Sequence, residues 1–143
     1  MLTQSEADHL IAMTKWFTTG GPLTLRPGTS QNIDLASSDP SQRFSLDVWR
    51  GTIRLTKVRY QNRARGSIVL VRLELDGPPH TNPDGATIGG THIHVYREGY
   101  EDKWAVQLDP TWFKDTKDMI QSFKDFCRFC NITRLPMVQA ALL

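Results

Sequence analysis

Between Phe44 and Leu75 apolar and polar residues alternate through three successive runs: Phe44-Ser45-Leu46-Asp47-Val48-Trp49, Thr52 to Tyr60, and Ser67 to Leu75. A period of two is the repeat of a β-strand. Three such runs joined by short polar segments predict an antiparallel meander. Arg50-Gly51 reads as a two-residue turn, and Asn62-Arg63-Ala64-Arg65-Gly66 as the second connection. In the third run, Ile68-Val69-Leu70-Val71 is apolar at every position, as expected of a central strand covered on both faces.

Helices are predicted on either side of this meander. At the N-terminus, Leu2-Thr3-Gln4-Ser5-Glu6-Ala7 is a capping box with a hydrophobic staple. Ala7, Leu10, Ile11, Thr14 and Phe17 then share one helical face until Gly20-Gly21-Pro22. Near the C-terminus, Asp109-Pro110 has the chemistry of a helix start, and Met119, Ile120, Phe123, Cys127 and Cys130 form a buried stripe. Leu23-Thr24-Leu25 and Asn32-Ile33-Asp34-Leu35 read as two edge strands joined at Pro27-Gly28, and Thr91 to Arg97 with Lys103 to Leu108 as a second hairpin. Pro78, Pro79 and Pro83 exclude regular structure from the Gly77 to Gly85 loop. The expectation is a single α+β domain, 1–143, with an antiparallel sheet of about five to seven strands flanked by an N-terminal and a C-terminal helix. With 143 residues, 39% of them hydrophobic, the chain can bury a core without staples.

Met1 to Asp8 carries acids where a signal peptide would have its apolar stretch, and no apolar run approaches the roughly 18 residues of a membrane span. A cytoplasmic protein that does not engage a membrane is expected. Cys127 and Cys130 close a predicted helix rather than open one, so they read as buried structural thiols rather than a redox pair. Trp49, Trp104 and Trp112 read as core or sheet-cover residues, and the apolar tail from Leu135 to Leu143 as a segment that docks on the core or on a partner.

The net charge of +2 is small, but its distribution is not even. From Arg50 to Arg72 there are seven cations, Arg50, Arg54, Lys57, Arg59, Arg63, Arg65 and Arg72, and no acid. This predicts one basic face, either a nucleic-acid contact or a solubilised sheet edge.

In Thr91-His92-Ile93-His94-Val95-Tyr96-Arg97, strand alternation puts His92, His94 and Tyr96 on one face. Three chemistries fit. Acid and base catalysis on an RNA phosphodiester would use His92 and His94 as the proton-transfer pair, Tyr96 in support, and Arg97, Arg63 or Arg65 on phosphate. A metal site would add His80 or Asp84 from the preceding loop as third ligand. The plain alternative is a pair of hydrogen-bonded or solvated histidines on an amphipathic strand.

The chain resembles an uncharacterised prokaryotic family of single-domain proteins often carried on mobile elements. The resemblance rests on Tyr60-Gln61-Asn62-Arg63, on Leu75-Asp76-Gly77-Pro78-Pro79-His80 with Asn82-Pro83-Asp84-Gly85, and on His92 to Tyr100 with Asp102-Lys103-Trp104-Ala105. It implies a bacterial or phage setting and no particular activity. More loosely, the basic hairpin and HxH strand are similar to small toxins that act on RNA. The expectation is therefore an RNA-directed, toxin-like endoribonuclease needing no metal or other cofactor. Its catalytic set is His92, His94, Tyr96 and Arg97, and its RNA contacts are Arg54, Lys57, Arg59, Tyr60, Arg63 and Arg65. The competing expectation is a non-catalytic interaction module, an antitoxin-like partner or a phage- or mobile-element-encoded inhibitor of a nucleoprotein complex, with a protein partner or a second copy of itself.

Overall fold

The computed structural model describes residues 1–142. In chain order the elements are α1 (Gln4–Ala12), β1 (Lys15–Phe17), β2 (Leu23–Leu25), β3 (Ser30–Ser37), β4 (Phe44–Arg50), β5 (Val58–Ala64), β6 (Ile68–Leu75), β7 (His80–Thr81), β8 (Thr87–Ile88), β9 (His92–Val95), β10 (Ala105–Val106), α2 (Met119–Phe129), β11 (Ile132–Thr133) and β12 (Val138–Ala140). The main sheet has eight strands in the order β10-β9-β6-β5-β4-β3-β1-β11. Its strands pair antiparallel except for β1 with β11. The fold is α+β, with the meander β3 to β6 at its centre as the alternation predicts.

One face of this sheet is apolar and covered. Leu46, Val48, Val58, Tyr60, Leu73 and Ile93 are buried there, and Tyr60 meets Phe123 of α2 edge-on with ring centres 5.2 Å apart. The amphipathic stripe of α2 holds Phe123, Phe126 and Cys127 against it, and the thiols are buried as expected, with no disulfide. α1 begins at the predicted capping box: Thr3 Oγ1 accepts from the Glu6 amide, and the Glu6 carboxylate accepts from the Thr3 amide.

The opposite face is polar. Four strands place Trp49, Arg59, Glu74 and His92 in one cross-strand row, and Asp47, Gln61, Arg72 and His94 in the next. The expectation that β6 is covered by apolar packing on both faces is therefore corrected: Arg72 and Glu74 lie on the polar side, and Ile68 and Val69 are only half-buried.

Other boundaries also differ. α1 stops at Ala12, and Lys15-Trp16-Phe17 is a strand between β3 and β11 rather than a last helical turn. Pairing on both sides outweighs a helical spacing that fitted only Thr14 and Phe17. Arg50 remains in β4, and the connection runs from Gly51 to Lys57, closed by Gly51 N–H to Lys57 O and Lys57 N–H to Arg54 O. The alternation of Ile53 and Leu55 is carried by exposed loop residues. Asp109 caps one isolated turn, and α2 starts at the Asp118 cap, whose carboxylate accepts from the Ile120 and Gln121 amides. The proline-rich loop contains the two-residue ladder of β7 with β8. β2 pairs not with β3 but with β12, so the tail docks as a strand, with Leu143 outside the described residues. Of the tryptophans read as cover, Trp49 and Trp104 are half-buried and Trp112 is exposed.

Lys15 is fully enclosed. Its ammonium donates to Ile11 O (2.9 Å), Met13 O (3.1 Å) and Cys130 O (2.8 Å), so one cation closes the carbonyl ends of both helices. Burial pulls its pKa down to about 8, which leaves it charged at neutral pH. Burial pushes the Cys127 thiol well up, the Cys130 thiol to about 12, and the Tyr60 phenol upward as well. From about pH 9 the unfolded chain releases thiol protons that the folded chain keeps, so stability falls as pH rises. Lys15 has the opposite sign between about 8 and its unfolded value of 10.5, and three raised acids outweigh it. Urea unfolding under reducing conditions should show a midpoint that drops between pH 8.5 and 10.5, and a smaller drop in Cys127→Ala.

Candidate nucleic-acid interface and histidine cluster

The predicted basic residues separate into two groups. Arg50 is buried and donates to Leu25 O, Leu55 O and Ala141 O, which ties the tail to the sheet. Tyr60 lies in the core with its hydroxyl on Met119 O, so it cannot stack on a nucleobase, and that expectation is corrected. Arg63 is held bidentately by Asp47 at 2.6 and 2.8 Å, and Arg72 bonds Asp102 at 2.6 Å. Arg65 bonds Gln42 at the far end of β5. The interval without acids is thus largely neutralised by acids from neighbouring strands.

Arg54, Lys57 and Arg59 remain. Lys57 and Arg59 flank Trp49, and Trp49, Ile53, Arg54, Lys57, Asp76 and Pro78 are among the residues that line a cleft of about 630 Å³. Lys57 Nζ and the Arg59 guanidinium carbon each lie 5.4 Å from the centre of the Trp49 ring system. Among the described residues Lys57 makes no ion pair. Arg54 reaches Asp76 at 3.2 Å across a solvent-exposed gap, and Arg59 meets Glu74 at 2.8 Å with its guanidinium still well exposed. An exposed pair such as Arg54–Asp76 contributes roughly 0–1 kcal/mol, so Arg54 can turn toward an anion at little cost, whereas Arg59 is held by the buried Glu74. Trp49 was missed as a site residue, although a signal was present. It shares the polar phase of β4 with Ser45 and Asp47, not the apolar phase of Phe44, Leu46 and Val48.

The strand histidines are placed as predicted, on the polar side of β9, and both are buried. His80 arrives from β7 and covers them. Its ring centre is 5.7 Å from that of His92 and 4.6 Å from that of His94, and the two strand rings are 4.9 Å apart. Each ring is pinned by a backbone carbonyl: His92 Nδ1 to Gly89 O (2.7 Å), His94 Nδ1 to Asp102 O (2.8 Å), His80 Nε2 to Lys103 O (2.8 Å). The covering segment is itself fastened by Asn82, whose amide group exchanges two 2.8 Å bonds with the backbone of Ala105. Asp84 does not join the cluster; its carboxylate accepts from the Ala86 amide. Burial, reinforced by the Arg72 charge and the other two imidazoles, pulls the His94 pKa down to about 3, against the bond to Asp102 O.

Tyr96 and Arg97 do not complete a catalytic set with these rings. The Tyr96 hydroxyl donates to Leu2 O and accepts from Leu2 N–H, anchoring the start of α1. Arg97 lies over the Trp104 ring at 4.0 Å. The arrangement sets a half-exposed aromatic ring and cations at one cleft, and three clustered imidazoles on the same side of the sheet. It offers no charged imidazole at His94 to serve as a proton donor.

A protein-family profile described as a family of unknown function matches residues 2–132. No curated protein and no solved structure matches the chain. No helix among the described residues is long and apolar enough to cross a membrane.

Proposed function

The chain belongs to that family of unknown function, DUF6978, and from the Trp49 cleft we propose that it is an RNA-directed protein that binds a single strand. The observation that carries this reading is a half-exposed tryptophan with Lys57 and Arg59 close to its ring, at a cleft of about 630 Å³ that Arg54 also lines. An aromatic ring with cations close by is the pairing that single-stranded nucleic acid uses: a base stacks on the exposed part of the ring, and the phosphates meet Lys and Arg. The volume falls within the roughly 300–1,000 Å³ of small-ligand pockets, enough for a nucleotide. A duplex hides its base faces and cannot use the tryptophan in this way.

Cleavage by His92 and His94 has less support than binding. Both rings lie beneath His80, and His94 stays neutral far below physiological pH. We therefore read the protein as a binder of RNA, with a toxin-like or antitoxin-like role resting on what it sequesters.

The test is fluorescence anisotropy with a labelled single-stranded RNA and the matching duplex. The expected result is preference for the single strand, with Lys57→Glu weakening binding about tenfold and lowering the salt slope by about one. Equal affinity for strand and duplex, or no effect of Lys57→Glu, overturns the proposal.

One observation favours a protein partner instead. Ile53 is 99% exposed at the lip of the same cleft, and an apolar side chain so placed is a natural anchor for an interface. If Ile53→Asp weakens RNA binding as much as Lys57→Glu, the lip belongs to the RNA site and this second reading loses its support.

A further inference from the structure

The histidine cluster is not explained by RNA binding, and its hydrogen bonding is incomplete in a specific way. A carbonyl can only accept, so His92 Nδ1, His94 Nδ1 and His80 Nε2 must each carry their ring proton. The lone pairs are left on His92 Nε2, His94 Nε2 and His80 Nδ1. None of these three nitrogens has a hydrogen-bond partner among the described residues. Three imidazoles thus crowd together with their acceptor nitrogens unused, and no bond links one ring to another.

We propose that His80, His92 and His94 bind one divalent transition-metal ion of the zinc class. Ring spacing is the first support. A tetrahedral ion about 2.0–2.1 Å from each nitrogen puts the ring centres about 5.2 Å apart, and the three observed separations are 4.6, 4.9 and 5.7 Å. Anchoring is the second. Histidine ligands characteristically donate their other N–H to a carbonyl or carboxylate, which fixes tautomer and orientation, and all three rings here do so. The elements are the third: β9 delivers two rings at alternate positions, and a separately fastened strand, β7, delivers the third.

Among the described residues no three His, Cys, Asp or Glu side chains stand in a coordinating arrangement. Closure needs small turns of the rings about their Cβ–Cγ bonds, a broad and soft torsion, within the range that keeps each N–H on its carbonyl. A water or the Glu74 carboxylate, which neighbours His92 across the sheet, completes the shell. The positive charge of Arg72 beside His94 is offset by Asp102 and Glu74.

The site is independent of RNA, and its test needs none. The full chain, stripped with chelator and kept reduced, is titrated with Co²⁺ and followed by visible absorption, then competed with Zn²⁺ and checked by calorimetry. One equivalent is expected, with the absorption of a four-coordinate nitrogen and oxygen site. His80→Ala, which removes a ring from a surface segment, should weaken uptake at least thirtyfold while far-ultraviolet circular dichroism is unchanged. His92 and His94 ring-proton resonances should shift on addition of Zn²⁺. Failure to take up either metal at millimolar concentration overturns the site. So does uptake that survives intact in His80→Ala, or a sulfur-to-cobalt charge-transfer band, which would place the ion on Cys127 and Cys130.

Discussion

Trp49→Ala is expected to raise the dissociation constant for single-stranded RNA by about 10- to 100-fold, because one base–aromatic stack contributes roughly 1–3 kcal/mol. The side chain stands on the polar side of the sheet, half-exposed, so its loss removes stacking area without opening the core. Its contacts with Lys57 and Arg59 are the other part of the effect, since a ring that gathers two cations also presents them to phosphate. Trp49→Phe should recover a large share of the affinity. Thermal stability should change by no more than a few degrees in either variant, which separates a lost ligand contact from a lost fold. Affinity unchanged in Trp49→Ala would mean that RNA, if bound, lies elsewhere.

The largest effect on stability is expected at Lys15. Lys15→Met keeps length and apolar bulk but strands the carbonyls of Ile11, Met13 and Cys130 at the meeting point of the two helix ends. Each buried acceptor left without a partner costs roughly 1–3 kcal/mol, so the variant should lose about 3 kcal/mol or more. For a protein whose whole stability is about 5–15 kcal/mol, that is a fall in Tm on the order of 10 °C. The measurement is thermal unfolding by circular dichroism at neutral pH, where the ammonium is charged. A Tm within 2 °C of the parent chain would show that solvent replaces the lysine at these carbonyls.

The same two residues mark what the sequence could disclose. Strand alternation placed the meander and the two histidines of β9 on a shared side, because a period of two is a local property. The Thr3 and Glu6 capping box was legible for the same reason. Lys15 was read into a helix, because the forces that make it a strand are pairings with β3 and with β11, more than a hundred residues away. Thr52 to Lys57 alternates as a strand would and is a loop, since no strand lies opposite it. The basic interval from Arg50 to Arg72 was real in sequence and mostly cancelled in space. Asp47, Glu74 and Asp102 come from other strands or from the loop before β10, and local charge counting cannot see them. Lys57, which pairs with none of these acids, became informative only beside Trp49. The arrival of His80 over His92 and His94 likewise depends on how the proline-rich segment folds back, which residue spacing leaves open.

The central claim is that single-stranded RNA lies against Trp49, and photo-crosslinking tests it most directly. A single strand carrying 5-iodouridine is bound, irradiated, and its attachment point mapped by mass spectrometry. The account predicts a crosslink at Trp49, with a yield reduced about tenfold in Lys57→Glu at an RNA concentration below the dissociation constant. Crosslinks confined to Trp16, Trp104 or Trp112, or an equal yield from Lys57→Glu, would contradict it.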